Sequence, residues 1–237
     1  MSEFKNQTIV ITGAAGNLGS AAARTFAAAG ANVALAGINE EHLRETQATL
    51  AGEAPSLILP VDLVDPEAVA VMVSQVREHF GRIDILANIA GGFTMGPLIH
   101  ETEDKDWDFM MNLNLRTVFN SCRAVIPVML EQGGGRIINI SARAAREGKA
   151  KMGPYCASKA AVITLTETLS AENRESDINI NCILPGTIDT PQNRADMPDA
   201  DHSRWVPPQA LADVIRFLAS DAARCVTGAA IPVYGKS

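Results

Sequence analysis

A chain of 237 residues, 47% of them hydrophobic, is long enough to bury a large core within one domain. Its net charge of −7 comes without a basic run that could track a phosphate backbone, which disfavours nucleic acid as a partner. No apolar stretch reaches membrane-spanning length without Gly, Pro or charge, which excludes a helical membrane protein.

Thr8-Ile9-Val10-Ile11 is a β-branched run that ends in Thr12-Gly13 and predicts a buried first strand. The residues before it carry no apolar signal core. An Ala-rich helix is expected from Leu18 to Ala29, closed by Gly30, and then a strand over Asn32–Ala36. A polar helix over Glu40–Leu50 and a strand over Leu57–Val61 follow. Pro66–Phe80 reads as a helix with proline in its first turn and Gly81 at its stop. Ile83–Ala87 predicts the fourth strand, and one long helix is expected over Lys105–Gln132, kinked at Pro127. Arg136–Ile140 predicts a strand, Pro154–Asn173 a helix and Ile178–Leu184 the sixth strand. Pro185–Pro207 shows little periodicity and reads as a long binding loop. Pro208–Ala219 and Ala229–Val233 complete the chain as helix and strand. Strands alternating with helices imply parallel crossovers, hence one α/β domain over residues 1–237. Its doubly wound parallel sheet has about seven strands and helices on both faces.

Thr12-Gly13-Ala14-Ala15-Gly16-Asn17-Leu18-Gly19 joins the first strand to its helix. Glycines there permit a tight turn and let backbone N–H groups approach a pyrophosphate at the helix N-terminus. Tyr155 and Lys159 stand four residues apart on one helical face. A lysine beside a tyrosine hydroxyl favours the phenolate, so the pair predicts a tyrosine with a lowered pKa and an acid–base role. Cys122, Cys156, Cys182 and Cys225 are scattered without a C-x-x-C pair, which suits a reduced cytoplasmic protein. Cys156 points away from its neighbour Tyr155 around the helix. His42, His79, His100 and His202 show no metal-ligand spacing, and no metal is expected.

Thr12-Gly13…Gly19, Asn88-Ile89-Ala90-Gly91, Asn114, Tyr155…Lys159 and Pro185-Gly186 occur in the order and spacing of the short-chain dehydrogenase/reductase family, which the chain resembles over its whole length. The resemblance implies a Rossmann-type fold and hydride transfer between NAD or NADP and a small-molecule substrate. It makes Tyr155 the proton donor or acceptor, Lys159 the residue that lowers its pKa and binds the nicotinamide ribose, and Asn114 the holder of a relay water. It places Gly13, Asn17, Leu18, Gly19, Asp62, Leu63, Asn88, Ala90, Gly91, Tyr155, Lys159, Pro185, Ile188 and Thr190 at the cofactor. It also implies a homotetramer or homodimer formed through the long helices.

Two positions depart from that pattern. Asn17 stands where the family has a glycine, and tolerance of the left-handed conformation by asparagine is expected to save the turn. The family's catalytic serine falls on Ala142, while Ser141 on a strand points to the other side. Ordinary ketone reduction is then expected to suffer. A narrower resemblance to dihydropteridine reductases covers Asp189-Thr190-Pro191 through Trp205 and Ala90-Gly91-Gly92-Phe93. Those enzymes lack the serine and protonate a ring nitrogen, which suggests a quinonoid, dihydropterin-like substrate. Gly37-Ile38 at the end of the second strand supply neither an acid for a ribose 2′-OH nor a cation for a 2′-phosphate, and the expectation leans to NAD. Asp62 reads equally as an adenine contact or as a helix cap ahead of Pro66, and Thr190 could simply start a turn before Pro191. Phe93, Met95, Met152 and Trp205 are candidates for an apolar lid. A non-catalytic dinucleotide-binding sensor or assembly protein is the alternative that Ala142 and Asn17 leave open.

Overall fold

The computed structural model describes residues 3–50 and 54–236. Seven strands form one parallel sheet: β1 (Thr8–Thr12), β2 (Asn32–Gly37), β3 (Ser56–Pro60), β4 (Ile85–Asn88), β5 (Gly135–Ile140), β6 (Ile178–Pro185) and β7 (Ala230–Val233), in the order β3-β2-β1-β4-β5-β6-β7. The helices are α1 (Asn17–Ala28), α2 (Glu40–Ala48), α3 (Pro66–Phe80), α4 (Asp104–Met111), α5 (Thr117–Gln132), α6 (Gly153–Glu172), α7 (Pro191–Asp196) and α8 (Pro208–Ala219).

Alternation along the strands divides the core in two. Ile9 and Ile11 of β1, with Val33 and Leu35 of β2, pack on α1 and α8, while Val10, Ala34 and Ala36 face α3, α5 and α6. All these residues are buried. Each large aliphatic side chain so removed from water stabilises the fold by about 1.5–3 kcal/mol before entropy is counted. The order reverses between β1 and β4, and a cleft at that switch point is where open parallel sheets bind ligands.

Local chemistry sets the element ends. The Asp65 carboxylate accepts from the Glu67 N–H ahead of Pro66, and Gly81 ends α3 with φ +80°. Capping therefore belongs to Asp65; Asp62 instead accepts from the Val64 N–H at 2.9 Å in an exposed turn. Three expectations about elements change. β4 begins at Ile85 and runs to Asn88, because the Ile83 backbone pairs with the Gln132 side chain rather than with a strand. The single long helix is not uniformly α: a π turn at Asn112–Arg116 interrupts its register between α4 and α5, and α5 runs through Pro127. The irregular segment after β6 contains α7, capped by the Thr190 hydroxyl, which accepts from the Asn193 N–H at 3.1 Å.

Candidate active site

The C-terminal ends of β1 and β4 are joined by one hydroxyl. Thr12 Oγ1 accepts from the N–H groups of Ile89 and Ala90 at 3.0 and 3.1 Å, fixing the chain as it leaves β4. Gly13 follows with φ +66°, and a Cβ there would lie 2.8 Å from Ala90 Cα. On Gly19 a Cβ would lie 2.1 Å from the Gly13 carbonyl oxygen, so α1 can approach the turn only without a side chain at that position. Gly16 is the N-cap of α1, and no side chain caps that helix. Its first-turn N–H groups and dipole thus face the sheet's C-terminal edge, as an anion site requires. Asn17 lies inside the first helical turn and is not among the residues with positive φ. The left-handed conformation expected of it is unnecessary, and the substitution carries no strain.

Past β4, the chain meets the π turn. Asn114, fully buried, accepts from the Gly92 N–H through Oδ1 at 3.0 Å and donates from Nδ2 to the Gly92 carbonyl at 3.1 Å. The extra residue in such a turn re-aims a side chain out of the helical register, and here it clasps a loop. A Cβ on Gly91 would stand 2.8 Å from Asn114 Oδ1 and 3.0 Å from Lys159 Nζ, which brings Gly91, Asn114 and Lys159 into one small volume.

Lys159 Nζ donates to the Ile140 carbonyl at 2.9 Å, at the end of β5. Burial pushes this lysine down to about 8 and the Tyr155 phenol up to about 12, with Cys156 adding slightly to the latter. The depressed tyrosine expected from its lysine neighbour is therefore absent: burial raises the phenol, and Lys159 is not among the groups that shift it. A phenol at about 12 is protonated at neutral pH, ready to give a proton. Its ring meets Phe93 edge to face at 5.0 Å and 78°.

Ser141 does not substitute for the missing serine. Its hydroxyl is buried and donates to the Lys159 carbonyl at 2.7 Å, inside the β5–α6 packing. Position 142 offers only a methyl group on extended backbone. Among the other expected residues, Leu63 is buried and its carbonyl accepts from Asn120 Nδ2 at 3.0 Å. Pro185 ends β6, and Ile188 bridges to Val206 below the Thr190 cap. Asn88, buried, sends its side-chain amide inward to Asn139 Oδ1 at 2.8 Å. Trp205 is buried against His202 rather than covering the site as a lid, and Cys156 Sγ contacts the Glu147 carbonyl, away from the tyrosine.

The sequence reading missed the network behind β4. Asn139 Nδ2 donates to Thr166 Oγ1 at 2.9 Å, so Asn88, Asn139 and Thr166 tie β4, β5 and α6 together beneath the site. Asparagines within otherwise apolar strands were the available signal.

A glycine-built helix N-terminus at the switch point of a parallel sheet, with a tyrosine and lysine on the next face, defines a dinucleotide-binding oxidoreductase. The family model described as short chain dehydrogenase matches residues 7–201, and the chain belongs to that family of NAD(P)-dependent enzymes. It is 35% identical to a 3-oxoacyl-(acyl-carrier-protein) reductase of Thermotoga maritima, with 98% of each chain covered. It is 34% identical to dehydrogenase/reductase SDR family member 6 of Rattus norvegicus, covering 99% of this chain and 98% of that one. Among solved structures, carveol dehydrogenase from Mycobacterium avium in complex with NAD superposes with a TM-score of 0.92 at 28% identity, covering 99% of this chain and 98% of that one.

Proposed function

We propose that this oxidoreductase reduces a conjugated substrate, a quinonoid or dihydropterin-like ring in preference to an isolated ketone, with Tyr155 as the sole side-chain proton donor. The observation that carries this reading is the pairing of Ala142 with a Ser141 hydroxyl held by the Lys159 carbonyl. A localised alkoxide forming on an isolated ketone needs a second donor, and loss of such a donor costs about 10²–10³ in rate. When charge spreads over a ring or the proton goes to a ring nitrogen, one donor suffices.

The geometry fits the cofactor. Gly13, Asn17, Leu18 and Gly19 would hold the pyrophosphate at the uncapped N-terminus of α1, where added Cβ atoms collide with backbone. Asp62 and Leu63 would border the adenine. Asn88, Ala90 and Gly91 would line the ribose side through their backbone, and Pro185, Ile188 and Thr190 the nicotinamide. Ile38, 79% exposed at the end of β2, offers no charge to a 2′-phosphate, which supports NAD as the preferred cofactor. Bound nicotinamide supplies a hydride to the substrate. Tyr155 gives its proton to the substrate's heteroatom in the same step and regains one from solvent. Lys159, with the ribose hydroxyls as its partners, stabilises the transient phenolate. Asn114 keeps Gly92 in place and orders water beside Lys159. Exposed Trp107, Phe109, Phe119 and Leu130 on α4 and α5 support a homodimer or homotetramer through these helices. The four free cysteines fit a cytoplasmic location.

Turnover of NADH with quinonoid dihydropterin, compared with simple ketones, tests the reading. Tyr155→Phe should cut turnover at least about 100-fold while NADH affinity, followed by fluorescence, stays within a few-fold. Retained turnover in that variant, or ketones outpacing the quinonoid substrate, overturns it.

A further inference from the structure

We propose that Phe93 is the substrate platform of this site, taking the flat, uncharged face of a conjugated ring against the part of its own ring that Tyr155 leaves open. This rests on the reading of Tyr155 as donor to a conjugated substrate, and it names the residue that recognises that substrate. The two rings meet edge to face, an arrangement that leaves aromatic surface free for a third partner. Phe93 is 49% exposed and its neighbour Met95 63%, beside half-buried Tyr155 and buried Asn114 and Lys159. Large apolar groups at a ligand cleft commonly serve as its binding wall.

The platform is preorganised. Asn114 clasps Gly92 on both its N–H and its carbonyl, immediately before Phe93. A Cβ on Gly92 would lie 2.9 Å from Leu113 Cδ2, so the backbone there has no slack. Three residues beyond Phe93, the Gly96 N–H donates to the Lys151 carbonyl at 2.9 Å. Ile99 Cδ1 lies 2.7 Å from where a Cβ on Gly153 would be, at the start of the helix that carries Tyr155. The loop is thus pinned on both sides of Phe93 to the elements that hold the proton donor. A ring held still loses little freedom when a second ring stacks on it, which is where affinity comes from. From Ile89 to Ile99 the wall carries no charge, so it selects by shape and π surface. A linear acyl chain gains little there.

The test compares two dicarbonyls with the same reacting group, 9,10-phenanthrenequinone with a ring face and 2,3-butanedione without one. In either, hydride from the reduced nicotinamide adds to one carbonyl carbon and the Tyr155 proton goes to its oxygen, giving a hydroxyketone and oxidised cofactor. Phe93→Leu, which keeps apolar volume and loses the ring, should raise KM for phenanthrenequinone about five- to tenfold, the fold-change of a lost aromatic pair. Its kcat should stay within about threefold and the KM for butanedione within about twofold, and Phe93→Tyr should restore the wild-type KM. Equal changes for both dicarbonyls, or none, overturn the platform. If wild-type protein binds NADH but reduces neither dicarbonyl, the reductase reading has failed on these probes, and titration of the NAD-loaded protein with coumarin decides the platform separately. Coumarin binding weakened about five- to tenfold by Phe93→Leu supports it. Equal binding to both proteins, or no binding to wild type, overturns it.

Discussion

Replacing Lys159 by methionine separates what the lysine does for the reaction from what it does to the fold. The side chain is buried, and its pKa of about 8 lies below the ordinary 10.5. Between those values the unfolded chain binds the extra proton, so stability rises with pH from 8 to 10.5 and the full penalty applies below 8. That gap corresponds to about 3 kcal/mol at neutral pH. Methionine fills similar volume without a charge, but it leaves the Ile140 carbonyl without its Nζ donor, a loss of about 1.5 kcal/mol. The variant should therefore be more stable than wild type at pH 7 by about 1–2 kcal/mol. Its advantage should shrink above pH 8 and reverse between about pH 9 and 9.5. The raised phenol of Tyr155 makes stability fall as pH climbs from 10 through 12, but it does so in both proteins and cancels from the difference. Guanidinium denaturation of both proteins at intervals from pH 7 to 10.5 measures this crossing, and NADH turnover of the same variant should drop by at least about 100-fold. A stability difference that does not vary with pH, or a variant less stable at pH 7, refutes the assignment of a costly buried charge.

Gly91→Ala places a methyl between Asn114 Oδ1 and Lys159 Nζ, so the Asn114–Gly92 clasp must open; we expect a loss of about 2–3 kcal/mol in urea unfolding and a fall in NADH affinity. Gly19→Ala meets the Gly13 carbonyl, which cannot move without shifting the turn, and it should abolish detectable NADH binding by fluorescence titration while Gly16→Ala, with 3.4 Å of room, leaves it within a few-fold. Ala142→Ser restores a second donor and should raise ketone turnover by about 10²-fold while changing quinonoid reduction by less than about threefold; steady-state kinetics on both substrates decides it.

The strand sequence, the parallel topology and the glycine turn after β1 were legible because each depends on local pattern. A β-branched run such as Thr8–Ile11, and stops such as Gly81, act over a few residues. The family set of Tyr155, Lys159 and Asn114 was legible as a motif. Its geometry was not. The π turn at Asn112–Arg116 depends on what Asn114 can reach across the fold, and the partner it finds, Gly92, is distant in sequence. The helical period therefore read straight through it.

The sequence by itself determined a doubly wound α/β fold with a glycine-rich turn after its first strand, and its motifs carried the family resemblance that implied a dehydrogenase. Local pattern and motif order encode those features directly. Only the tertiary structure decided that Ser141 is spent on the Lys159 carbonyl, that Asn88 turns inward to Asn139, and that Phe93 faces Tyr155. It also decided the sign of the tyrosine's pKa shift. Proximity of a lysine in sequence speaks for a lowered value, but burial is a property of the packed molecule, and here burial raises the phenol.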